Sequence, residues 1–246
     1  MIIKLLHWNI LFKEKIENVV KLLKECQPDI ICLNELSKGL EYNNGIDTAK
    51  YVADKLGYNY FFQEGQIWTE EGKKVIGNGI FTRFSIVKPS FTYTKIPTSK
   101  DGEVEKRGSV YVEVDLKFGD ATLTVATDHL AYISRFVETD DKKREIDKLI
   151  EIIRNKKDRY ILTGDMNGPP SSYAIKNIEK YLVSAGPSHE EKTAFTKELH
   201  DSAGWITGFE WRVDYVFATK DMRVKSAEII KTDYSDHLPI LVEFEV

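Results

Sequence analysis

Five apolar stretches of this chain stop at a polar residue able to do chemistry. IIKLLHWNI ends at Asn9, DIICLNEL at Asn34 and Glu35, and ATLTVATDHL at Asp128 and His129. YILTGDMNGPP presents Asp165 and Asn167, while Ser235, Asp236 and His237 introduce LPILVEFEV. Any one of these would pass as a turn or cap residue. Their repetition from Asn9 to His237 instead indicates strand ends on a rigid scaffold converging on one site. Glu35, Asp165 and Asp236 are hard oxygen donors of the kind that suit Mg²⁺ or Mn²⁺. His129 and His237 can hydrogen-bond a phosphoryl oxygen or move a proton. Asn9 and Asn167 orient a water or a phosphate oxygen without adding charge. The chain has no zinc-ligand spacing, no phosphate-binding or dinucleotide glycine loop and no serine in a nucleophile elbow. Water activated by a metal ion is the route to hydrolysis that remains.

Positioning these groups requires a regular scaffold, and the hydrophobic periodicity supplies one. KIENVVKLLKEC has apolar residues at helical spacing before Gln27-Pro28, and DTAKYVADKLG reads as a helix closed by Gly57. VETDDKKREIDKLIEIIRNK places Ile146, Leu149, Ile150 and Ile153 on one helical face, and SSYAIKNIEKYL gives a fourth helix. The opening segment, DIICLNEL, YNYFFQ, GNGIFTRFSIV, SFTYTKI, SVYVEVDLKF, ATLTVATDHL, YILTG, VDYVFAT, RVKSAEII and LPILVEFEV read as strands. This order predicts an α/β fold in a single domain over residues 1–246. It is expected to be a four-layered α/β sandwich, two mixed β-sheets packed face to face with helices on the outside. EGQIWTEEGKK (Glu64–Lys74) and KDGEVEKR (Lys100–Arg107) read as polar loops, and Leu182–Arg212 as a long irregular segment.

With 246 residues, 42% of them hydrophobic and 30% charged, the composition is that of an ordinary soluble globular chain. Cys26 and Cys32 read as small core residues rather than a disulfide or metal pair. No secretory leader pattern and no apolar run of membrane-spanning length occurs, so a cytoplasmic protein without a membrane segment is expected. The net charge of −4 argues against a broadly basic surface for duplex DNA. No obligate protein partner is evident.

The segments HWNI, LNEL, GNGIFTRFSI, KRGSVYVEV, TDHL, GDMN, WRVDYVFAT and YSDHLPI, in this order, make the chain resemble the endonuclease/exonuclease/phosphatase superfamily. These are the exonuclease III-like metal-dependent phosphohydrolases, and the resemblance spans residues 7 to 240. It implies a four-layered α/β sandwich and a set of roles. Glu35 would be the principal metal ligand, with Asn9 beside it in the metal shell and Asp236 near metal and histidine. Asp165 would orient or deprotonate the attacking water, and Asn167 and His129 would contact the phosphate. His237 would stabilise phosphoryl charge or serve as acid–base partner. Asp214 matches the carboxylate that orients a catalytic histidine, although a strand-edge charge is its bland alternative. Arg107 is either a substrate contact or a cap on the strand that follows.

LNELSKG lacks the Gln before the metal-binding Glu and the Thr-Lys after it that DNA-repair members carry, which speaks against an abasic-site endonuclease. Asp128 stands where the family has a Thr before the phosphate-binding His, and makes a dianionic substrate less comfortable. The resulting expectation is a Mg²⁺ or Mn²⁺-dependent phosphodiesterase acting on a phosphoester. The alternatives are a nuclease on DNA or RNA, a phosphomonoesterase on a small metabolite or lipid head group, and a binding protein retaining only the fold. Two aromatic loops are expected to read the rest of the substrate: Gln66–Lys74 with Trp68, and Gly204–Arg212 with Trp205 and Trp211. Trp205 is assigned to the rim as a substrate contact, where stacking contributes about 1–3 kcal/mol per base. Trp211 is assigned to pinning the loop.

Overall fold

The alternating and continuously apolar segments form strands, and the amphipathic ones form helices. The computed structural model describes residues 1–69, 72–99, 104–118, 121–201, 204–206 and 208–245. In chain order the elements are β1 (Ile2–Asn9), α1 (Ile16–Cys26), β2 (Ile30–Lys38), α2 (Thr48–Leu56), β3 (Asn59–Ile67), β4 (Val75–Thr82), β5 (Ile86–Ser99) and β6 (Lys106–Phe118). They continue with β7 (Ala121–His129), α3 (Asp140–Ile153), β8 (Tyr160–Asp165), α4 (Tyr173–Ile178), β9 (Val183–Ser184), β10 (Leu199–Asp201) and β11 (Gly204–Ile206). The last three are β12 (Asp214–Ala218), β13 (Arg223–Ile229) and β14 (Ile240–Glu245). Asp47 caps α2 by accepting from Lys50 N, and Thr139 caps α3 by accepting from Lys142 N, each holding a backbone donor that a helix start leaves unpaired.

Among the described residues, twelve strands form one mixed, curled sheet rather than the two separate sheets expected. One half runs β13-β14-β1-β2-β4-β3 and the other β6-β7-β8-β12-β9, with β5 on β6. The halves are joined where Gln66 pairs with Arg107 and Ile67 with Lys106. Those residues were expected in loops. Glu64–Ile67 instead extend β3 and Lys106–Arg107 open β6, because a half-exposed strand on a curled seam shows no clean apolar alternation. Glu70, Glu71 and Lys100–Glu103 of the two expected loops lie outside the described residues. β5 is also longer than expected, and α4 is shorter. The segment Leu182–Arg212 contains the short strands β9, β10 and β11.

Three cores hold the layers. The first joins Leu5, Cys32 and Val242 of one half to Val112, Val125, Ile161 and Val216 of the other, so the halves share an interior. The second packs Val19 and Leu23 of α1 and Val52 of α2 against Leu6, Trp8 and Leu33. The third packs Ile146, Leu149 and Ile153 of α3 and Ile175 of α4 against Leu162, Tyr215 and Phe217. Each half contains one parallel pair, β1 with β2 and β7 with β8. Parallel strands deliver their ends to the same edge. Asn9 therefore lies opposite Asn34, and His129 opposite Asp165. Among the described residues no helix is long and apolar enough to cross a membrane.

Candidate active site

Two local distortions aim the acidic side chains. The β2–β4 register shifts between Leu33 and Leu36, and Glu35 within that bulge adopts a left-handed φ of 65°. A bulge re-aims a side chain that regular pleating would send elsewhere. Glu35 Oε1 accepts from Asn9 Nδ2 at 3.0 Å, and Oε2 accepts from Phe12 N at 3.2 Å. On the other half, Gly164 permits β8 to lie against β7, since a Cβ there would stand 2.2 Å from Asp128 O. The next residue, Asp165, is thereby fixed. Its Oδ2 accepts from Asn9 Nδ2 at 3.1 Å and its Oδ1 from Asn167 N at 2.9 Å. One amide thus bridges a carboxylate from each half of the sheet.

The histidines gather around the same carboxylate. His129 Nε2 lies 3.5 Å and His237 Nε2 3.8 Å from Asp165 Oδ2. His237 Nδ1 in turn meets Asp214 Oδ2 at 2.8 Å, with Asp214 set opposite Asp165 in the β12–β8 pair. His7 Nε2 lies 3.4 Å from the other oxygen of Asp214. Asp214 also stands on its own backbone N–H, which donates to Thr193 Oγ1. Burial alone would strip the proton from His237, but Asp214 first, then Asp236 and Asp165, raise its pKa well above the ordinary imidazole value. Burial pushes Asp214 up, yet His237 and the hydrogen bonds from both imidazoles outweigh it and hold Asp214 far below the usual carboxylate range. Both shifts favour an imidazolium facing a carboxylate. Burial and the nearby Asp214 raise Asp165, which His237 and His129 partly offset.

A polar scaffold beneath the site was only partly visible in the sequence. Asn34 Nδ2 donates to Asn78 Oδ1 at 2.9 Å and to Thr127 Oγ1 at 3.2 Å, while its Oδ1 accepts from Asp165 N at 3.0 Å. Asn78 Nδ2 donates to Val110 O at 2.7 Å. These amides tie five strands, β2, β4, β6, β7 and β8, together behind Glu35 and Asp165. The available signal was GNG within the apolar run of β4, a polar residue flanked by glycines where only burial is expected. Ser235 Oγ donates to Asn9 O at 2.8 Å and lies 3.3 Å from Asp236 Oδ1, fixing the turn before β14. Asp128 points away from the chemistry: it is fully buried, and its Oδ1 accepts from His129 N at 2.8 Å. Burial first, then the charge of Glu145, push its carboxyl up to about 8. Glu145 accepts from Ala131 N, and the buried Lys142 donates to Ala131 O and lies 3.6 Å from Glu145 Oε2.

The cleft over these residues has a volume of about 320 Å³ and is lined by Glu35, His129, Asp165, Asn167, Asp236 and His237 together with Phe12, Tyr132, Phe195 and Arg107. Asn9 and Asp214 support its floor from beneath. Asn167 holds its place by donating Nδ2 to Leu130 O. Arg107 reaches the cleft but pairs with Glu105 through 3.0 and 3.1 Å contacts. Trp205 is 63% exposed and is absent from the cleft lining; its carbonyl accepts from Arg135. Thr207, next to that rim, lies outside the described residues. Trp211 packs edge-on against Phe136 at 4.7 Å, in keeping with a residue that pins the loop. Trp68 stands edge-on to Phe12, 5.3 Å away, behind the cleft wall.

Two groupings could hold a cation. Ligand atoms of Asp165, Asp214 and His237 lie within 4.8 Å of one another. In that trio, however, Asp214 is fully engaged by two imidazoles, and an imidazolium repels a cation. Glu35 and Asp236 are the better donors. Burial raises Asp236, and beyond the opposing pull of His237 the charges of Glu35 and Asp165 raise it further. Carboxylates that repel one another across a cleft are the environment a divalent cation relieves.

Residues 6–237 match the sequence profile of the Endonuclease/Exonuclease/phosphatase family. No curated protein sequence matches the chain. Among solved structures, a family protein from Leptotrichia buccalis superposes with a TM-score of 0.73 at 21% identity, covering 99% of this chain and 100% of that one. TDP2 from D. rerio, complexed with single-strand DNA product, gives 0.72 at 15% identity, covering 100% and 99%. A mannosyl-6-phosphatase from Bacteroides thetaiotaomicron gives 0.68 at 16% identity, covering 99% and 100%. At these identities the likeness is one of fold.

Proposed function

The chain belongs to the Endonuclease/Exonuclease/phosphatase family, and on that premise we propose that it is a divalent-metal-dependent phosphohydrolase, foremost a phosphodiesterase. One observation carries the proposal: Asn9 Nδ2 bridges Glu35 and Asp165, and both histidines of the cleft face the same Asp165 oxygen. Glu35 and Asp236, with Asn9 holding Glu35 in place, would bind Mg²⁺ or Mn²⁺. When bound, the cation supplies positive charge against the anionic phosphoryl group. Asp165, raised by burial, accepts a proton from the attacking water. Asn167 and His129 line the cleft beside it and donate to phosphoryl oxygens. His237, kept protonated by Asp214, stabilises negative charge as it develops.

A phosphomonoesterase is the second candidate, and Asp128 favours it. The acid that was expected to repel a dianion is buried beneath His129 and carries its proton up to about pH 8, so it leaves the cleft's charge alone. The test is hydrolysis of bis-p-nitrophenyl phosphate and p-nitrophenyl phosphate with EDTA, then with Mg²⁺ or Mn²⁺ restored. Activity that vanishes with chelator and returns with metal is expected, with the diester turned over faster. Undiminished hydrolysis in EDTA would overturn the mechanism, and a large excess of monoesterase activity would reverse the order of the two substrates.

A further inference from the structure

The wall of the cleft facing the acidic cluster is the seam where β3, β5 and β6 meet, and among the described residues it carries a hydroxyl and an ammonium without partners. Ser109 is 2% exposed, lines the cleft, and its hydroxyl has no hydrogen-bond partner among the described residues. Lys95 is half-buried, lines the same cleft, and has neither an ion pair nor a hydrogen bond among the described residues. The two are direct cross-strand neighbours in the β5–β6 ladder. Register shifts flank Lys95 on both sides, between Tyr93 and Lys95 and between Lys95 and Thr98. Such irregularities turn a side chain out of the pleat. Gly108 makes this one possible, because a Cβ there would stand 2.6 Å from Lys95 O and 2.7 Å from Pro97 N.

A half-buried ammonium without a counter-ion and a buried hydroxyl without a partner both lack something that an anionic oxygen would supply. A buried polar group left unpaired is unfavourable, so the Ser109 hydroxyl is poorly satisfied until a ligand arrives. Arg107, the neighbouring cation that the sequence singled out, is already neutralised by Glu105. Among the described residues, Lys95 is the cation of this wall that lines the cleft without a counter-ion. The acidic cluster on the opposite side cannot be its partner directly, since the cleft of about 320 Å³ lies between them and has room for a small ligand.

We propose that Lys95 and Ser109 form an anion subsite, and that the natural substrate is a phosphoester carrying a second phosphate elsewhere in the molecule. The first phosphate sits over Glu35 and Asp165, and the second spans the cleft to the seam. This rests on the phosphohydrolase assignment for the reacting end, but the subsite binds without turnover and is tested separately. Calorimetric titration of the metal-loaded protein with thymidine 5′-phosphate and thymidine 3′,5′-bisphosphate compares ligands that differ by one phosphate. The bisphosphate should bind about tenfold more tightly. Lys95→Met should bring that ratio close to one, and Ser109→Ala should lower it about threefold.

The same comparison is made in turnover with the p-nitrophenyl ester of thymidine 5′-phosphate and its 3′-phosphorylated form, where the advantage should appear in KM rather than kcat. Equal affinity for the two nucleotides in the parent protein, no binding of either, or a ratio that survives in both variants would overturn the subsite. A ratio lost in Arg107→Gln but kept in Lys95→Met would move the site to Arg107 and equally overturn the assignment. Binding that follows the expected ratios while neither ester is hydrolysed would instead indict the catalytic assignment and leave the subsite standing.

Discussion

Replacing Asp214 with Asn tests whether the buried pair with His237 drives catalysis. The substitution keeps the side-chain volume and the backbone bond to Thr193 while removing the charge that faces His237 Nδ1 at 2.8 Å. Asp214 and His237 are 1% and 3% exposed, so water cannot take over the lost interaction. Asp214 is the foremost group opposing burial in keeping His237 protonated. Without it the imidazolium is abandoned in a desolvated pocket and gives up its proton at lower pH. Removing a positioned acid or base commonly costs about 10²–10⁴ in rate. The short, fully buried contact places this variant in the upper part of that range, a loss of about 4–5 kcal/mol in transition-state stabilisation at about 1.36 kcal/mol per decade. The assay is kcat and KM for bis-p-nitrophenyl phosphate from pH 5 to 9 at saturating Mn²⁺, with a melting curve to verify folding. The fall should reside in kcat, and the alkaline limb of the profile should move to lower pH. A folded variant within a few-fold of the parent at every pH, with that limb unmoved, would refute the role of the pair.

Glu35→Gln should weaken Mn²⁺ binding at least tenfold by calorimetry, whereas Asp165→Asn should bind Mn²⁺ nearly as well as the parent and lose about 10²–10⁴ in kcat; equal losses of affinity would show the division of labour to be wrong. Asp128 is raised in the folded state from 3.8 to about 8. Between those values the fold keeps a proton that the unfolded chain releases, so stability from this group declines as pH rises through that window. Asp128→Asn should therefore flatten the fall in melting temperature from pH 5 to 8.5, and an unchanged slope would contradict a protonated Asp128. Trp205→Ala should shift the melting temperature by no more than about 1–2 °C, because 63% of the residue is already in solvent; a drop of several degrees would place its ring in a core.

The sequence made the strand ends legible because each joins a continuously buried run to a group that burial would not tolerate alone. That contrast located Asn9, Glu35, His129, Asp165, Asn167 and His237, and the structure brings all six together around Asp165 or the cleft above it. The curl that joins the sheet halves was not legible, since pairing across a seam leaves no periodicity in either strand. Lys95 was passed over for a related reason. Its place in the cleft comes from two register shifts, which depend on Gly108 in the neighbouring strand rather than on anything beside Lys95 itself. Lys142 and Glu145 escaped notice because a charged pair three residues apart on a helix normally faces solvent, whereas this one props the turn after His129.

The pairing of β1 with β14 has a consequence for biosynthesis. His237 shares Asp214 with His7, Trp8 Nε1 donates to His237 O, and Ser235 holds the carbonyl of Asn9. The groups that complete the cleft are thus separated by more than two hundred positions along the polypeptide. A chain emerging from the ribosome carries Glu35, His129 and Asp165 long before it carries the partners that orient them. Such distant closures are late and slow events in folding. Hydrolytic competence should therefore switch on in one step, once β14 has paired with β1, and chains cut before Ser235 should stay inert toward phosphoesters however much of their sheet has already paired.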